Sequence, residues 1–328
     1  MRKTILITGG AGYIGSLLVN VLLLNNFKII VMDKLIYGGE SLLNVWHHPN
    51  FRFYKIDITE PDKVESVFKE NKIDAVVHLA AIVGDPACAK QPELAKKINE
   101  AGSINLLDIS IKNNVERFIF ASTCSNYGKM SNQNSFIDEN SPLSPVSLYA
   151  ELKVKFENIL INSNSQNDNF CPTALRFATV YGISPRVRFD LTVNEFTKEL
   201  ALGRELEVFG EQFWRPYCHV YDFSRAILLV LNAEKERVSH NVFNVGATNE
   251  NYTKLMIVEE IKKRLPEAKV KYIHKTEDPR DYRVSFEKIR NEVGFEITRK
   301  VPDGIAEVIE LINDKVLLNP DDPKYKNI

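Results

Sequence analysis

Residues 8–15 read Thr-Gly-Gly-Ala-Gly-Tyr-Ile-Gly and lie between a short apolar run and a helical pattern. Gly9 permits a tight turn there, Gly12 lets the backbone approach a bound group, and Gly15 lets the helix pack closely on a sheet. Backbone N–H groups and the positive end of the helix dipole then face the phosphates of a dinucleotide. Because the context fits on both sides, the stretch predicts a dinucleotide site that opens an α/β fold. Its predicted binding residues are Gly9, Gly12, Tyr13, Ile14 and Gly15.

Short apolar runs alternate with helical patterns through the first half of the chain. Their continuous Ile, Val, Phe and Leu character is typical of strands buried on both faces of a parallel sheet. We therefore predict a Rossmann-type, doubly wound parallel α/β sheet. The predicted strands are residues 4–8, 28–33, 51–56, 75–79, 117–121 and 172–180, and the predicted helices are 13–25, 61–69, 92–113 and 149–163.

The pattern becomes less regular after Gly182, where short helical and strand segments mix to the end of the chain. We expect residues 1–182 to form the sheet domain and residues 183–328 to form a smaller C-terminal α/β substrate lobe. The chain is expected to interleave partly between the two. The stretch 319–328 is polar and contains two prolines, so we predict a surface tail there.

The composition is that of an ordinary globular protein, with 44% hydrophobic and 26% charged residues in a chain of 328. Its formal net charge of -1 gives no general attraction to nucleic acid or to an anionic membrane. The four cysteines lack metal-ligand spacing, so we expect reduced thiols, no metal site and a cytoplasmic location. Glycines interrupt the apolar run at the N-terminus, so neither a signal peptide nor a membrane span is expected.

Acidic and small residues at the ends of the predicted strands extend the dinucleotide site. Asp33 ends the second strand about twenty residues after the glycines, where a carboxylate can accept a hydrogen bond from a ribose 2′-hydroxyl. Because that carboxylate repels a 2′-phosphate, NAD is favoured over NADP, although Lys34 follows directly. The other residues predicted to line the cofactor site are Asp57, Ile58, Leu79, Ala80 and Ala81.

Tyr149 and Lys153 are four residues apart in a predicted helix, so both lie on one helical face. A nearby ammonium stabilises a phenolate, which can remove a hydroxyl proton while hydride leaves the adjacent carbon. Lys153 can also bond to the nicotinamide ribose. Thr123 lies just after the fifth predicted strand, where its hydroxyl can bond to the same substrate oxygen as Tyr149.

In this order, these residues resemble the extended short-chain dehydrogenases/reductases, in particular the NAD-dependent nucleotide-sugar epimerases and dehydratases. The resemblance runs from Thr4 to about Ile312. It implies that Thr123, Tyr149 and Lys153 are the catalytic triad, and that Asn99 lies near the active site. It also implies a homodimer formed through a four-helix arrangement, for which the helices would be residues 92–113 and 149–163.

The sequence departs from the family pattern at two places. Dehydratases of the family typically carry Asp-Glu directly after the catalytic threonine, whereas Cys124 and Ser125 stand here. Neither side chain delivers a proton as a carboxylic acid does, so 4,6-dehydration is disfavoured. Cys124 is then either a substitute acid or a small packed residue. The second departure is Thr179, near the place of a family asparagine that contacts the substrate phosphate.

Several residues match positions where relatives bind the nucleotide sugar. Arg215 begins an Arg-x-x-x-His pattern, and its guanidinium suits the oxygens of a diphosphate. Arg280 or Arg283 can supply a second contact to a phosphate or ribose. Arg186 and Arg188 either close over a nucleotide or are solvated loop charges. The substrate-binding residues predicted are Val83, Thr123, Thr179, Arg188, Asn194, Arg215, Arg280 and Arg283; His219 is expected to be structural.

Three functions remain open from the sequence. The first is a 4-epimerase, in which bound NAD oxidises C4 of the sugar and hydride returns to the opposite face. The second is a C4 dehydrogenase or reductase with an exchanging nicotinamide cofactor. The third is a cofactor-binding protein without catalysis, which an intact set of Thr123, Tyr149 and Lys153 argues against. The epimerase is favoured because NAD-dependent relatives without the acid pair are often epimerases.

Overall fold

The computed structural model describes residues 2–130, 135–163, 169–278 and 280–327. Its strands are β1 (Thr4–Thr8), β2 (Lys28–Asp33), β3 (Phe51–Lys55), β4 (Ala75–His78), β5 (Arg117–Thr123), β6 (Cys171–Phe177), β7 (Thr179–Tyr181), β8 (Leu206–Phe209), β9 (Trp214–His219), β10 (Asn241–Val245), β11 (Asn251–Thr253) and β12 (Val270–Ile273). Its α-helices are α1 (Tyr13–Leu24), α2 (Pro61–Glu70), α3 (Asp85–Lys90), α4 (Pro92–Lys96), α5 (Ser103–Lys112), α6 (Leu148–Ile161), α7 (Thr192–Ala201), α8 (Val220–Asn232), α9 (Lys235–Val238), α10 (Lys254–Lys262), α11 (Glu287–Val293) and α12 (Val301–Asn313).

Seven strands form the central sheet, in the order β10-β6-β5-β4-β1-β2-β3. Every neighbouring pair in it is parallel. The chain winds outward in both directions from the β1–β4 pair, and in such sheets a ligand binds beyond the carboxyl ends of the strands at this reversal. The predicted Rossmann-type parallel sheet is confirmed, and its topology fixes where the site lies.

Helices cover both faces of the sheet because its strands are apolar on both sides. On one face, α1 and α8 pack together through buried residues such as Leu22 and Phe223. On the other face, α2, α5 and α6 bury Val67, Leu106 and Phe156 against the strands. The sheet is therefore the middle layer of three, and its carboxyl edge is left open for a ligand.

Two predicted elements are divided in the structure. The helix predicted over residues 92–113 is interrupted by a π-helical turn, Lys97–Gly102, between α4 and α5. A Cβ at Gly102 would lie 3.0 Å from Cγ1 of Ile58, so this turn passes close to the loop after β3. The strand predicted over residues 172–180 ends at Phe177, and β7 leaves the central sheet to pair with β9.

The C-terminal lobe contains a three-stranded sheet, β11-β9-β7, and a parallel pair, β12-β8. Helices α7, α10 and α12 bury its apolar core. Residues beyond 182 also return to the central layers, because β10 pairs with β6 and α8 packs on α1. The two units therefore interleave, and a domain boundary at residue 182 remains a prediction.

The C-terminal stretch, predicted as a surface tail over residues 319–328, lies at the surface in its described part and is docked onto the lobe. Asp321 accepts hydrogen bonds from Lys198 and Arg204. The carbonyl of Tyr325 accepts a hydrogen bond of 2.8 Å from the N–H of Phe189. Within the described ranges, no helix combines the length and apolar character needed to cross a membrane.

Candidate active site

A cleft with a volume of about 630 Å³ follows the carboxyl edge of the central sheet and continues to the C-terminal lobe. Most of the residues singled out from the sequence line it. On the sheet domain these are Gly9, Gly12, Tyr13, Ile14, Gly15, Asp33, Lys34, Asp57, Ile58, Leu79, Ala80, Ala81, Val83, Thr123, Tyr149 and Lys153, and beyond β6 they are Thr179, Arg186, Arg188, Arg215 and Arg280.

The glycine loop between β1 and α1 leaves room and donors for a bound anion. Gly9 has a positive φ of 73°, and a Cβ there would lie 2.7 Å from the backbone nitrogen of Ala80. Gly12 is the N-cap residue of α1 and has no side chain to cap it. The first N–H groups of α1 therefore remain available to a ligand at the positive end of the helix dipole. This cradle fits the diphosphate of a dinucleotide.

Asp33 is held as a fixed acceptor beside this loop. Its two carboxylate oxygens accept hydrogen bonds from the N–H groups of Ala11, at 3.0 Å, and Leu35, at 2.7 Å. Burial raises the pKa of this carboxyl, while the two N–H donors favour its charged form. Its position at the end of β2 suits hydrogen bonding to a ribose hydroxyl.

Lys34 does not pair with Asp33 but with Asp57. Its Nζ lies 2.8 Å from Oδ2 of Asp57. Burial raises the pKa of Asp57, but hydrogen bonds from Lys34 and Thr59 outweigh it and lower the pKa below its ordinary value. The charge of Lys34 is thus compensated at the end of β3, so the arrangement favours an unphosphorylated ribose beside Asp33.

Tyr149 and Lys153 lie on one face of α6, as the spacing predicted. The Nζ of Lys153 lies 5.8 Å from the ring centroid of Tyr149 and donates a hydrogen bond of 2.7 Å to the carbonyl of Ala121. Burial lowers the pKa of Lys153 to about 8 and raises that of Tyr149. A positive charge beside a buried phenol favours its phenolate. Together the two side chains can therefore carry a proton to and from a substrate hydroxyl.

Thr123 is the last residue of β5 and lines the cleft beside this pair. Its Oγ1 accepts a hydrogen bond of 3.1 Å from the N–H of Ser125, so its own hydroxyl proton is free to be donated to a substrate oxygen. A buried pair lies below, where Arg176 binds Glu157 and Ser122 donates to the same carboxylate. These bonds tie β5, which carries Thr123, and β6 to α6, which carries Tyr149 and Lys153.

The end of the cleft in the lobe is cationic. Arg215 lies over the ring of Tyr282, and its Nη2 is 3.0 Å from Oδ1 of Asp278. Lys254, at the start of α10, lines the same end. Burial lowers its pKa, which the nearby Asp278 opposes. Such a cluster fits a diphosphate.

A model of the NAD dependent epimerase/dehydratase family matches residues 5–246. The chain belongs to this family. It is an NAD-dependent enzyme with a Rossmann-type fold, so the cofactor and fold expected from the sequence are confirmed.

The enzyme is similar over nearly its whole length to UDP-glucose 4-epimerase of Bacillus subtilis, with 27% identity over 92% of this chain and 95% of that protein. It is 30% identical to the bifunctional protein GAL10 of Pachysolen tannophilus over 70% of this chain, but it spans only 36% of that protein. The crystal structure of UDP-glucose 4-epimerase with UDP-glucose from Thermotoga maritima superposes with a TM-score of 0.83 at 29% identity, covering 96% of this chain and 100% of that chain.

The residues that follow Thr123 in this epimerase/dehydratase clarify the first departure from the family pattern. Cys124 is buried and donates to the carbonyl of Arg176, so it points away from the cleft. Burial also raises the pKa of its thiol. Ser125 lines the cleft but is not an acid. Cys124 is therefore a packed residue, and neither residue supplies the acid of a dehydratase.

Three residues predicted to contact ligand lie outside the cleft lining. Asn99 bonds through both ends of its amide to the backbone of Ile82, and so shapes the loop after β4. Asn194 is fully buried and bonds to the backbone of Gly182 and Arg188. Arg283 lies over the rings of Trp214 and Phe136. Asn99 and Asn194 use their amide groups within the protein, which indicates supporting roles for them. The ligand contacts expected of all three residues stay predictions.

At the lobe end of the cleft, the structure distinguishes between the two candidate arginines. It also places there two residues, Asp278 and Lys254, that were not predicted from the sequence. Arg280 lines the cleft, whereas Arg283 does not. Asp278 lies in the same stretch of sequence as both arginines, but no sequence pattern indicates Lys254.

His219 is expected from the sequence to be structural. Its Nε2 lies 2.8 Å from Oε2 of Glu307, and its Nδ1 accepts a hydrogen bond from the N–H of Tyr221, which supports that role.

Proposed function

We propose that the enzyme is a nucleotide-sugar 4-epimerase. The observation that carries this proposal is the position of Thr123, Tyr149 and Lys153 in one cleft, between the glycine loop at one end and Arg215 and Lys254 at the other. A nucleotide sugar bound through its diphosphate at the cationic end would extend its sugar toward Tyr149. Similarity to two UDP-glucose 4-epimerases supports the same reaction.

In this proposal, side chains of the protein carry out the proton transfer. Tyr149 takes the proton of the C4 hydroxyl while hydride leaves C4, and gives it back when hydride returns to the other face of the ketone. Lys153 stabilises the phenolate, and Thr123 donates a hydrogen bond to the same oxygen. Bound NAD supplies the hydride acceptor and then the donor. No net oxidation results, so one bound cofactor serves many turnovers.

The absence of a carboxylic acid at residues 124 and 125 supports epimerisation over 4,6-dehydration. Loss of water from the sugar needs an acid to protonate the departing hydroxyl. Cys124 is directed into the core, and Ser125 keeps its proton at neutral pH. The same cleft can serve a C4 dehydrogenase or reductase, so the experiment must separate net redox from isomerisation.

The test is incubation of the purified holoenzyme with UDP-, GDP-, dTDP- and CDP-hexoses, of which UDP-glucose and UDP-galactose come first. We expect conversion between C4 epimers without added cofactor and without net formation of NADH. Stoichiometric formation or consumption of NADH would replace the epimerase with a dehydrogenase or reductase. Purified protein that neither contains nor binds NAD would refute both.

The remaining proposals concern assembly and location. We propose a homodimer through α6 and the segment from α4 to α5. Within one protomer, an ion pair between Lys155 of α6 and Glu100 of the π-helical turn joins the two. Half-buried Ile104 and Ile111 on α5 support an apolar contact there. A monomeric mass by light scattering at assay concentration would refute it. We also propose a cytoplasmic location, which the four free, buried thiols support.

A further inference from the structure

Residues 184–190, here called the arginine loop, are fastened to the first helix of the cofactor domain. Ser184 donates a hydrogen bond of 2.8 Å to the carbonyl of Tyr13. The N–H of Arg186 donates to Oγ of Ser16 at 3.4 Å. These bonds hold the arginine loop against the first turn of α1, which the glycine cradle precedes.

Both arginines of this loop are buried at the cofactor end of the cleft, each with 8% of its surface exposed. Arg186 lies over Tyr37, with Cζ 4.2 Å from the ring centroid. Arg188 lies 5.8 Å from the ring centroid of Tyr13, the first residue of α1. Both arginines therefore line the same cleft as the glycine loop and Asp33.

No carboxylate among the described residues forms an ion pair with Arg186. Burial lowers the pKa of Arg186, although Asp190 and Asp33 are near enough to oppose this in part. The only hydrogen bond of its side chain among the described residues is one of 3.3 Å from Nη2 to the carbonyl of Lys326, and its buried Nε has none. Arg188, by contrast, binds Asp190 through Nε and Nη2, at 2.9 and 2.7 Å. A buried cation that forms no ion pair is costly, so an anion bound beside Arg186 would offset that cost.

The C-terminal segment holds the outer side of the loop. The N–H of Asn327 donates to Oδ2 of Asp190 at 3.1 Å, so Asp190 bridges Arg188 and the C-terminal backbone. The ring of Tyr325 packs edge-on against Phe189, with centroids 5.8 Å apart. Asn327 itself lines the cleft. Residues 325–327, here called the C-terminal brace, therefore support the arginine loop and hold its two arginines in position.

We propose that Arg186 and Arg188 bind the diphosphate of NAD from the side opposite α1, and that residues 325–327 hold them there so that the cofactor is retained between turnovers. Both NAD and a nucleotide sugar carry a diphosphate. The two arginines lie beside Tyr13 and Tyr37, away from Arg215 at the lobe end. We therefore assign them to the diphosphate of NAD rather than to that of the nucleotide sugar. This inference needs only NAD binding and stands whether or not the reaction is an epimerisation.

The first experiment measures NAD retention in Arg186→Gln and Arg188→Gln holoenzymes. Release of bound NAD is measured by its exchange against labelled NAD. We expect it to become about tenfold faster or more, since the loss of one charge-assisted hydrogen bond corresponds to such a factor. Affinity for UDP, measured by calorimetry, stays within about twofold of the parent protein. Arg52→Gln is the matched control, because Arg52 also lies over a tyrosine, Tyr54, but is exposed and outside the cleft.

The second experiment isolates the C-terminal brace with two variants of one residue. Asn327→Pro removes the N–H that Asp190 accepts, and Lys326 already has the extended backbone that precedes a proline, with φ −129° and ψ 154°. Asn327→Ala keeps the N–H. We expect NAD release to be faster in Asn327→Pro than in Asn327→Ala.

The outcomes are distinct. Unchanged NAD release in both arginine variants overturns the proposal, and weaker UDP binding with unchanged NAD release assigns Arg188 to the substrate instead. If Arg188→Gln fails to fold, Arg188→Lys replaces it. The lysine keeps the charge but loses the two-pronged contact with Asp190, so faster NAD release is again expected. Release at the parental rate again overturns the proposed role of Arg188. Equal release in the two Asn327 variants refutes the brace.

Discussion

Asp85 and Arg280 form an ion pair that joins the two sides of the cleft, with Oδ2 2.7 Å from Nη1. Asp85 starts α3, after β4, whereas Arg280 belongs to the C-terminal lobe. The other oxygen of Asp85 accepts a hydrogen bond of 2.7 Å from Ser147, the N-cap residue of α6. One carboxylate therefore connects the cationic end of the cleft to the helix that carries Tyr149.

Asp85→Asn is expected to tighten the binding of a nucleoside diphosphate by a few-fold. The change removes a negative charge beside Arg280, so the cationic end attracts a dianion more strongly, by an amount typical of a partly exposed ion pair. Arg280→Gln is expected to weaken binding about tenfold, which matches the loss of one charge-assisted hydrogen bond. Calorimetric titration with UDP measures both, and Asp108→Asn on the exposed face of α5 is the control. Weaker binding in Asp85→Asn would mean that Asp85 acts by positioning Arg280.

Tyr149→Phe is expected to lower kcat by about 10²- to 10⁴-fold, the usual contribution of a positioned proton-transfer group. The ring and its packing beside Lys153 remain, so NAD content and the thermal unfolding temperature should stay close to parental values. The rate of C4 isomerisation and the NAD bound per protomer are measured together. Tyr54→Phe, on the edge strand β3, controls for loss of a hydroxyl. Turnover at the parental rate would remove Tyr149 from the mechanism.

Asp33→Ala is expected to weaken NAD binding about tenfold and to shift the preference toward NADP. The variant loses the acceptor for a ribose hydroxyl and the charge that repels a 2′-phosphate, while Arg186 stays at the same end of the cleft. Because Lys34 is paired with Asp57, adding Asp57→Ala should release it and strengthen NADP binding further. Dissociation constants for both cofactors measure this. An unchanged NAD/NADP ratio in Asp33→Ala would exclude Asp33 from ribose recognition.

The parts of this molecule that depend on short stretches could be predicted from the sequence. The strands β1, β2 and β4 contain continuous apolar runs, and the turn around Gly9 needs residues that are adjacent in the chain. Tyr149 and Lys153 meet because one helical turn brings them together. In these cases the deciding interactions are local, so spacing carries the information.

The parts that could not be predicted depend on contacts between distant residues. Asp85 and Arg280 are 195 residues apart, and nothing near either one indicates the pairing. The return of β10 to the sheet beside β6 likewise depends on packing with α9 and α11, since its five residues resemble any short strand. The docking of Tyr325 on Phe189 also joins residues that are far apart in the chain. Tertiary burial decided each of these, not local propensity.

His78 predicts how stability depends on acid pH. It lies in β4, buried, with Nδ1 2.7 Å from Oγ1 of Thr8 and Nε2 2.8 Å from Oγ of Ser103. Burial, assisted by the charge of Lys153, lowers its pKa to about 3 from an ordinary value of 6.5. Below pH 6.5 the unfolded chain takes up a proton at this residue that the folded protein refuses, so stability is lost as the pH falls from 6.5 toward 3.

From pH 7 to pH 5, this residue alone should cost about 2 kcal/mol of the free energy of unfolding. Urea unfolding of the parent protein, His78→Gln and the exposed control His240→Gln at both pH values measures it. We expect His78→Gln to lose about 2 kcal/mol less than the parent over this interval, whatever its stability at pH 7, and His240→Gln to follow the parent. The buried carboxyl groups are common to all three proteins and cancel in the comparison. An equal loss in all three would show that His78 takes up its proton in the folded protein, against the burial that the structure gives it.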